Sequence, residues 1–262
     1  IMREANIINI DNLSVSLQKK PILHTINLSV QKGEIVCILG ANGSGKSTLL
    51  KAILGIVDYS GHILLNGLES ARLSNLARSK LLSYVPQIHY TSLPFSLLEV
   101  VIMGRFARAP LFSYSKQDKQ KAIEVLERFG IAHLAHNNFT TLSGGQRQLG
   151  LIARALVQES EIVILDEPVS ALDISYSFKL LEIIKSLQKT ILLTSHHPEQ
   201  CFIAHKVLMI KQGRTLVYDN ADKALRESHI NALYDIHSTR IDLPNNGRYF
   251  CQIFNHKESH ND

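Results

Sequence analysis

The sequence has no apolar run approaching the roughly 18 residues that a membrane span requires. Its apolar runs are short, among them Ile35-Val36-Cys37-Ile38-Leu39, Ile162-Val163-Ile164-Leu165 and Ile191-Leu192-Leu193. The first ten residues, IMREANIINI, lack the apolar stretch of a secretory signal. These two absences predict a soluble chain that stays in the cytoplasm. Cysteine is scarce, with Cys37, Cys201 and Cys251 alone, and none pairs with another at metal or redox spacing. The odd number fits a reducing compartment. Cys37 lies inside an apolar run and reads as a small buried hydrophobe. Internal repeats, heptad runs and low-complexity tracts are missing too, which excludes tandem duplication and long helical arms. Neither sign of charge dominates. A net +5 suits an anionic ligand or an anionic membrane face but is too mild to predict nucleic-acid binding.

What is present is enough apolar residue, 45% of 262, to bury a full core. That length allows one large domain, or one domain with an inserted lobe. Near-continuous apolar runs predict strands of a parallel sheet buried on both faces. Ligands of such sheets sit beyond the carboxyl ends of the strands. The three runs end respectively in GANGSGKST, in Asp166-Glu167 and in Thr194-Ser195-His196, so their motifs should converge on one edge. Helices are expected over Lys46–Leu54, stopped by Gly55, and from the capping box Ser115/Asp118 to Gly130. A third follows Ser143, where Leu149, Ile152, Ala153, Leu156 and Val157 recur on one face. Thr239 to Phe254 reads as a hairpin turning at Asn246-Gly247.

Gly40-Ala41-Asn42-Gly43-Ser44-Gly45-Lys46-Ser47, followed by Thr48, has the form of a phosphate-binding loop. Its glycines let successive N–H groups face one anion, and the next helix aims its positive end there. Lys46 supplies a mobile charge for the β- and γ-phosphates of ATP, and Ser47 a hydroxyl for Mg²⁺. Asp166 and Glu167 close a buried strand, where two carboxylates are costly unless a cation meets them. Mg²⁺ held with Ser47 meets Asp166, which leaves Glu167 to polarise the attacking water. Ser143-Gly144-Gly145-Gln146 opens a helix with a capping serine and uncovered N–H groups, a second place for a phosphate. One nucleotide has no evident need of two such helix ends, which hints at a second nucleotide.

The phosphate loop, LSGGQ at 142–146, VILDEP at 163–168, SALD at 170–173 and a late histidine resemble, in that order, the ATP-binding-cassette family. The resemblance spans roughly residues 6 to 215. It implies an α/β fold: a P-loop NTPase core with a mostly parallel sheet, an antiparallel N-terminal β subdomain and an inserted helical lobe. The lobe is expected at about 88–160 within an ATPase domain of residues 1–237, with a hairpin tail at 238–262. The resemblance also implies a head-to-tail homodimer, each nucleotide lying between one copy's phosphate loop and the other's Ser143–Gln146. On that pattern Gln87 touches Mg²⁺ or the attacking water, Asp173 belongs to the loop crossing the interface, and His196 contacts the γ-phosphate. His197 would face away, because strand neighbours alternate. His133 and His136 read as surface residues.

Some positions depart from the family. Leu17 stands where an adenine-stacking aromatic is usual. Val169 replaces a common threonine after Glu167-Pro168, and Leu149 a common arginine after the signature; both read as packing changes. LSYVPQ at 82–87 and LEVVIMGR at 98–105 look like ATPases that import iron–siderophore, haem, cobalamin and related metal chelates. Such a subunit sits peripherally on the cytoplasmic face of the inner membrane, bound to integral membrane permease subunits and served indirectly by a substrate-binding protein. Phe95, Met103, Arg105 and Phe106 are either the permease-docking face or ordinary lobe core and, for Arg105, a solvated arginine. A soluble ATPase of iron–sulfur cluster assembly and an exporter ATPase are the competing readings. Asn137-Asn138-Phe139-Thr140-Thr141 lacks the glycine- and glutamate-containing stretch that exporters often carry.

Overall fold

The computed structural model describes residues 6–87, 94–108, 114–170, 172–243 and 248–253. Strands β1 (Asn6–Leu17) and β2 (Lys20–Gln31) form an antiparallel hairpin. Gln18 and Lys19 both adopt left-handed backbone at its two-residue turn, which matches the twist of the strands. With β4 (Ser60–Leu65) and the short β5 (Leu68–Glu69) they make an antiparallel sheet ordered β2-β1-β4-β5.

The second sheet carries the chemistry. It contains β3 (Ile35–Leu39), β6 (Leu82–Val85), β7 (Ile162–Leu165), β8 (Thr190–Ser195), β9 (Lys206–Lys211) and β10 (Arg214–Asn220), ordered β10-β9-β3-β8-β7-β6. Neighbours from β9 through β6 run parallel, and β10 closes the edge antiparallel. Every residue of β3, β7 and β8 is buried, as expected of strands covered on both faces.

The period of two in each strand divides the interior into two cores. Val36, Ile38, Ile162, Ile164, Leu192 and Leu208 pack with the N-terminal sheet and with Leu49, Leu50 and Ile53 of α1 (Lys46–Ile53). Cys37, Leu39, Val163, Leu165, Ile191 and Leu193 face the other way. There they meet α3 (Leu97–Ile102), α4 (Lys116–Arg128), α5 (Gly144–Val157) and α6 (Ile174–Ser186). Each fully buried Leu or Ile contributes about 1.5–3 kcal/mol. Every named element between β6 and β7 is helical; residue 88, where an inserted lobe was expected to begin, lies outside the described residues. In α5 burial extends past one face, to Leu151 and Ala155, because the helix is enclosed by neighbours on several sides.

Two sequence expectations are corrected. Cys37 of β3 is not merely a small buried hydrophobe: its sulfur is in bonding contact with that of Cys201, the Cα atoms 5.6 Å apart. The sheet lays β8 beside β3, and the turn Pro198–Ile203 that leaves β8 passes directly under Cys37. A separation of 164 residues hides that proximity in the sequence, and the odd cysteine count loses its bearing on compartment. Arg105 is lobe core and not a docking surface, being 7% exposed. Its guanidinium donates to Asp118 (2.8 Å), to Glu159 (2.7 Å) and to the Val157 carbonyl (2.9 Å). Lys121 and Arg105 together hold the Glu159 carboxyl down at about 2. Phe106 beside it is exposed.

Near the end of the described chain, α7 (Ala221–Ala224) and α8 (Glu227–Tyr234) precede β11 (Ser238–Asp242) and β12 (Arg248–Gln252), which pair antiparallel. The Asn246-Gly247 turn lies outside the described residues.

Candidate active site

The parallel strands β3, β7 and β8 deliver their motifs to one edge of the sheet. The loop after β3 curls through Gly43 and Gly45, and Gly45 holds φ 110 at the start of α1, a conformation in which a side chain would be strained. A Cβ there would also lie 2.5 Å from Leu23. The Lys46 ammonium folds back over the loop, donating to the carbonyls of Gly40 (2.8 Å) and Ala41 (3.2 Å), and stands 3.4 Å from Glu167 Oε1. Ser47 Oγ donates to Asp166 Oδ1 at 3.3 Å. Inside the loop Ser44 Oγ is buried with no partner among the described residues.

Asp166 and Glu167 follow β7 and are 4% and 7% exposed. Glu167 is the hub of the edge. Its Oε2 accepts from Gln87 Nε2 at 2.9 Å and lies 3.1 Å from His196 Nδ1. Lys46, Ser47, Gln87 and Glu167 line one cleft of about 540 Å³ with Asn42, Gly43, Gly45, Thr48 and Ile22. The Ser47 hydroxyl in its lining and the Asp166 carboxylate that Ser47 meets behind it suit a hard cation such as Mg²⁺, which takes one or two protein oxygens and completes its shell with phosphate and water. The unpartnered Ser44 hydroxyl and the Lys46 charge suit a phosphate chain.

Residues 23–170 match the family model described as ABC transporter. The chain belongs to the ABC transporter family. Its ATP-binding cassettes hydrolyse ATP, and this chain is an ATPase of that type. It is 34% identical over 238 residues to a probable iron chelatin transport ATP-binding protein of Helicobacter pylori, covering 87% of this chain and 93% of that one. It is also 34% identical over 236 residues to the molybdate import ATP-binding protein MolC of Haemophilus influenzae, covering 87% and 88%. A solved inward-facing ABC transporter assigned to the metal-chelate type superposes with TM-score 0.84 at 30% identity, over 96% of this chain and 99% of its own.

Not every residue of the ABC motifs lies in the cleft. Ser143–Gln146 and Asp173 are absent from its lining. Ser143 and Gln146 form a reciprocal capping box at the start of α5. Asp173 caps α6 by accepting from the Tyr176 N–H at 2.9 Å, and the Tyr176 ring packs against Gly145. A Cβ on Gly144 would meet only open space. The ABC signature therefore presents an uncovered helix start on a surface apart from its own chain's phosphate loop.

Three further residues of this ABC cassette, none assigned a role of its own from the sequence, reach the acidic pair or His196. Tyr84 donates to Asp166 Oδ2 at 3.4 Å, and burial together with that carboxylate pushes its hydroxyl up to about 12. Tyr234, at the end of α8, donates to the His196 carbonyl at 2.8 Å; burial raises its hydroxyl so far that it remains a donor at any working pH. Thr194, fully buried in β8, bridges the two acidic residues, donating to Asp166 Oδ1 at 2.6 Å and accepting from the Glu167 N–H at 2.8 Å. A hydroxyl directly after the apolar run Ile191–Leu193 was the available signal for Thr194. His197 lines a different pocket, with Val169, Leu172 and Phe178. Burial and the neighbouring His196 depress its pKa, so it stays neutral at pH 7. His133 and His136 are exposed, and Val169 and Leu149 are buried.

Proposed function

We propose that this chain is the energy-supplying subunit of an ABC importer, binding MgATP in the cleft and hydrolysing it with Glu167 as general base. The observation that carries this reading is the convergence of Lys46, Gln87 and His196 on the single carboxylate of Glu167. Water attacks the γ-phosphorus as Glu167 accepts its proton, a new P–O bond forms, and the bond to the bridging oxygen of ADP breaks. Lys46 steadies the β- and γ-phosphates, Gln87 and His196 orient the water and the γ-phosphate, and the loop N–H groups of Gly40–Thr48 hold the chain. Ser47 and Asp166, with Gln87 nearby, would hold Mg²⁺, which would offset phosphate charge. The separation of Ser143–Gln146 and Asp173 from the cleft supports a second copy of the chain supplying them, so that two nucleotides lie in a homodimer interface.

The imported cargo is proposed to be a metal chelate, passed through an integral membrane permease. The superposition on a metal-chelate type transporter supports this, as does the iron-chelatin relative. The molybdate relative, at equal identity, marks an oxyanion as the competing cargo. No described helix is long and apolar enough to cross a membrane. Vesicles holding this chain and the permease encoded beside it are expected to take up a ferric siderophore only when ATP is supplied. ATP-driven uptake of molybdate with none of the chelate would overturn the cargo assignment. Failure to co-purify with any permease would favour the soluble assembly ATPase.

The adenine is proposed to rest on aliphatic groups. Leu17 ends β1 and is 37% exposed, and Ile22 of β2 lines the cleft. Stacking on an aromatic is worth about 1–3 kcal/mol per base, and aliphatic contact recovers part of it. Leu17→Tyr should therefore tighten ATP binding about five- to tenfold and sharpen the preference for ATP over GTP. An unchanged affinity by titration calorimetry would show that the base is held elsewhere.

A further inference from the structure

Glu167 has φ +46, a left-handed backbone that is uncommon for a non-glycine residue and, outside an exposed turn, needs support from its surroundings. Its N–H points to Thr194 Oγ1 at 2.8 Å. The same hydroxyl lies 2.6 Å from Asp166 Oδ1, and a carboxylate can only accept, so the direction of both bonds is fixed. Glu167 N–H donates to Thr194, and Thr194 donates to Asp166. Thr194 has no exposed surface, so water cannot take over either bond. His196 follows the Thr194 strand, β8, by one residue and lies 3.1 Å from Glu167 Oε2.

We propose that Thr194 is a positioning residue for hydrolysis: its hydroxyl locks the left-handed backbone of Glu167 and fixes the Asp166 carboxylate, so that base and cation-side acid hold one geometry. It touches neither nucleotide nor water. The inference rests on Glu167 being the base. A valine at 194 would keep the shape and lose both bonds, leaving a buried N–H unpaired and the Glu167 backbone free to relax. A serine would keep both bonds and lose a methyl group.

The test measures steady-state ATPase kinetics of the full chain as wild type, Thr194→Val, Thr194→Ser and Glu167→Gln. Thr194→Val should lower kcat about tenfold with the KM for ATP within about twofold, and Thr194→Ser should restore kcat to within about twofold of wild type. If Thr194→Val does not fold, Thr194→Cys takes its place; its weak thiol donor should cost about threefold in kcat. Wild-type kcat in the valine or cysteine variant overturns the proposal. So do equal losses in valine and serine, which would assign the effect to methyl packing, and so does a loss confined to KM. The Glu167→Gln arm separates the two ideas. Wild-type turnover there removes the base assignment and this inference with it, whereas a dead Glu167→Gln beside an unimpaired Thr194→Val removes this inference alone.

Discussion

Glu167→Gln is expected to lower ATP turnover about 10²- to 10⁴-fold, the usual contribution of a positioned general base, while ATP affinity stays within a few-fold of wild type. The amide has nearly the shape of the carboxylate and can still face Gln87 and His196, which lie 2.9 and 3.1 Å from Oε2. It cannot accept the proton of the attacking water. Its loss of charge also removes an anion from beside the triphosphate, so binding holds or tightens. Lys46 keeps its place, because the Gly40 and Ala41 carbonyls anchor it independently of Glu167. ATP that binds without being cleaved should accumulate the two-nucleotide homodimer. Size-exclusion chromatography with ATP should then show a doubled mass for Glu167→Gln and a monomer with ADP. Turnover near wild type would take Glu167 out of the base role. Slow turnover with no dimer would keep that role and remove the shared-site geometry.

The chemistry of the β3, β7 and β8 edge was legible because these strands are buried on both faces. Such strands read as unbroken apolar runs, and in a parallel sheet their ends share one side. The helix limits were legible where capping chemistry is local: Ser115 with Asp118 and Ser143 with Gln146 both form the reciprocal boxes their three-residue spacing predicts. What stayed hidden depends on partners far apart in the chain. Thr194 meets Asp166 across 28 residues, Tyr234 meets His196 across 38, Arg105 meets Glu159 across 54, and Cys37 meets Cys201 across 164. Periodicity says which face of an element is buried, but not which residue of another element it will touch.

The same limit explains why Arg105 was misplaced. An arginine in LEVVIMGR reads as a partner-binding or a solvated side chain. Only the arrival of Asp118 and Glu159 makes it lobe core, because a buried guanidinium requires carboxylates and carbonyls to match its donors. Tyr234 shows the reverse case. The described chain beyond β10 looks peripheral to the chemistry, yet α8 places this hydroxyl on the backbone of His196. The C-terminal helices thereby help to set the position of the imidazole that faces Glu167.

Lys46→Ala is expected to weaken triphosphate binding about 10- to 100-fold. A hydrogen bond to a charged group is worth about 1.5–3 kcal/mol, and each 1.4 kcal/mol is tenfold in affinity. AMP, which lacks the β- and γ-phosphates, should bind the variant and the wild type alike, so the loss can be assigned to that end of the nucleotide. The substitution also acts on the protein itself. Lys46 is 5% exposed and Glu167 is 7% exposed, their charged atoms 3.4 Å apart. Removing one member of a fully buried pair costs about 3–5 kcal/mol. Here Glu167 retains Gln87 and His196, and the cleft admits solvent, so about 1–2 kcal/mol is expected, lowering Tm by about 2–6 °C. The double variant Lys46→Ala with Glu167→Gln separates the two effects. Taking away both charges should restore Tm toward wild type, since no carboxylate is then left without its cation. Triphosphate affinity should stay as weak as in Lys46→Ala, since no cation has been returned to the phosphates. Recovery of affinity in the double variant would mean that Lys46 serves chiefly to neutralise Glu167. Unchanged ATP affinity in Lys46→Ala alone would place the γ-phosphate away from this loop and remove the cleft as the nucleotide site.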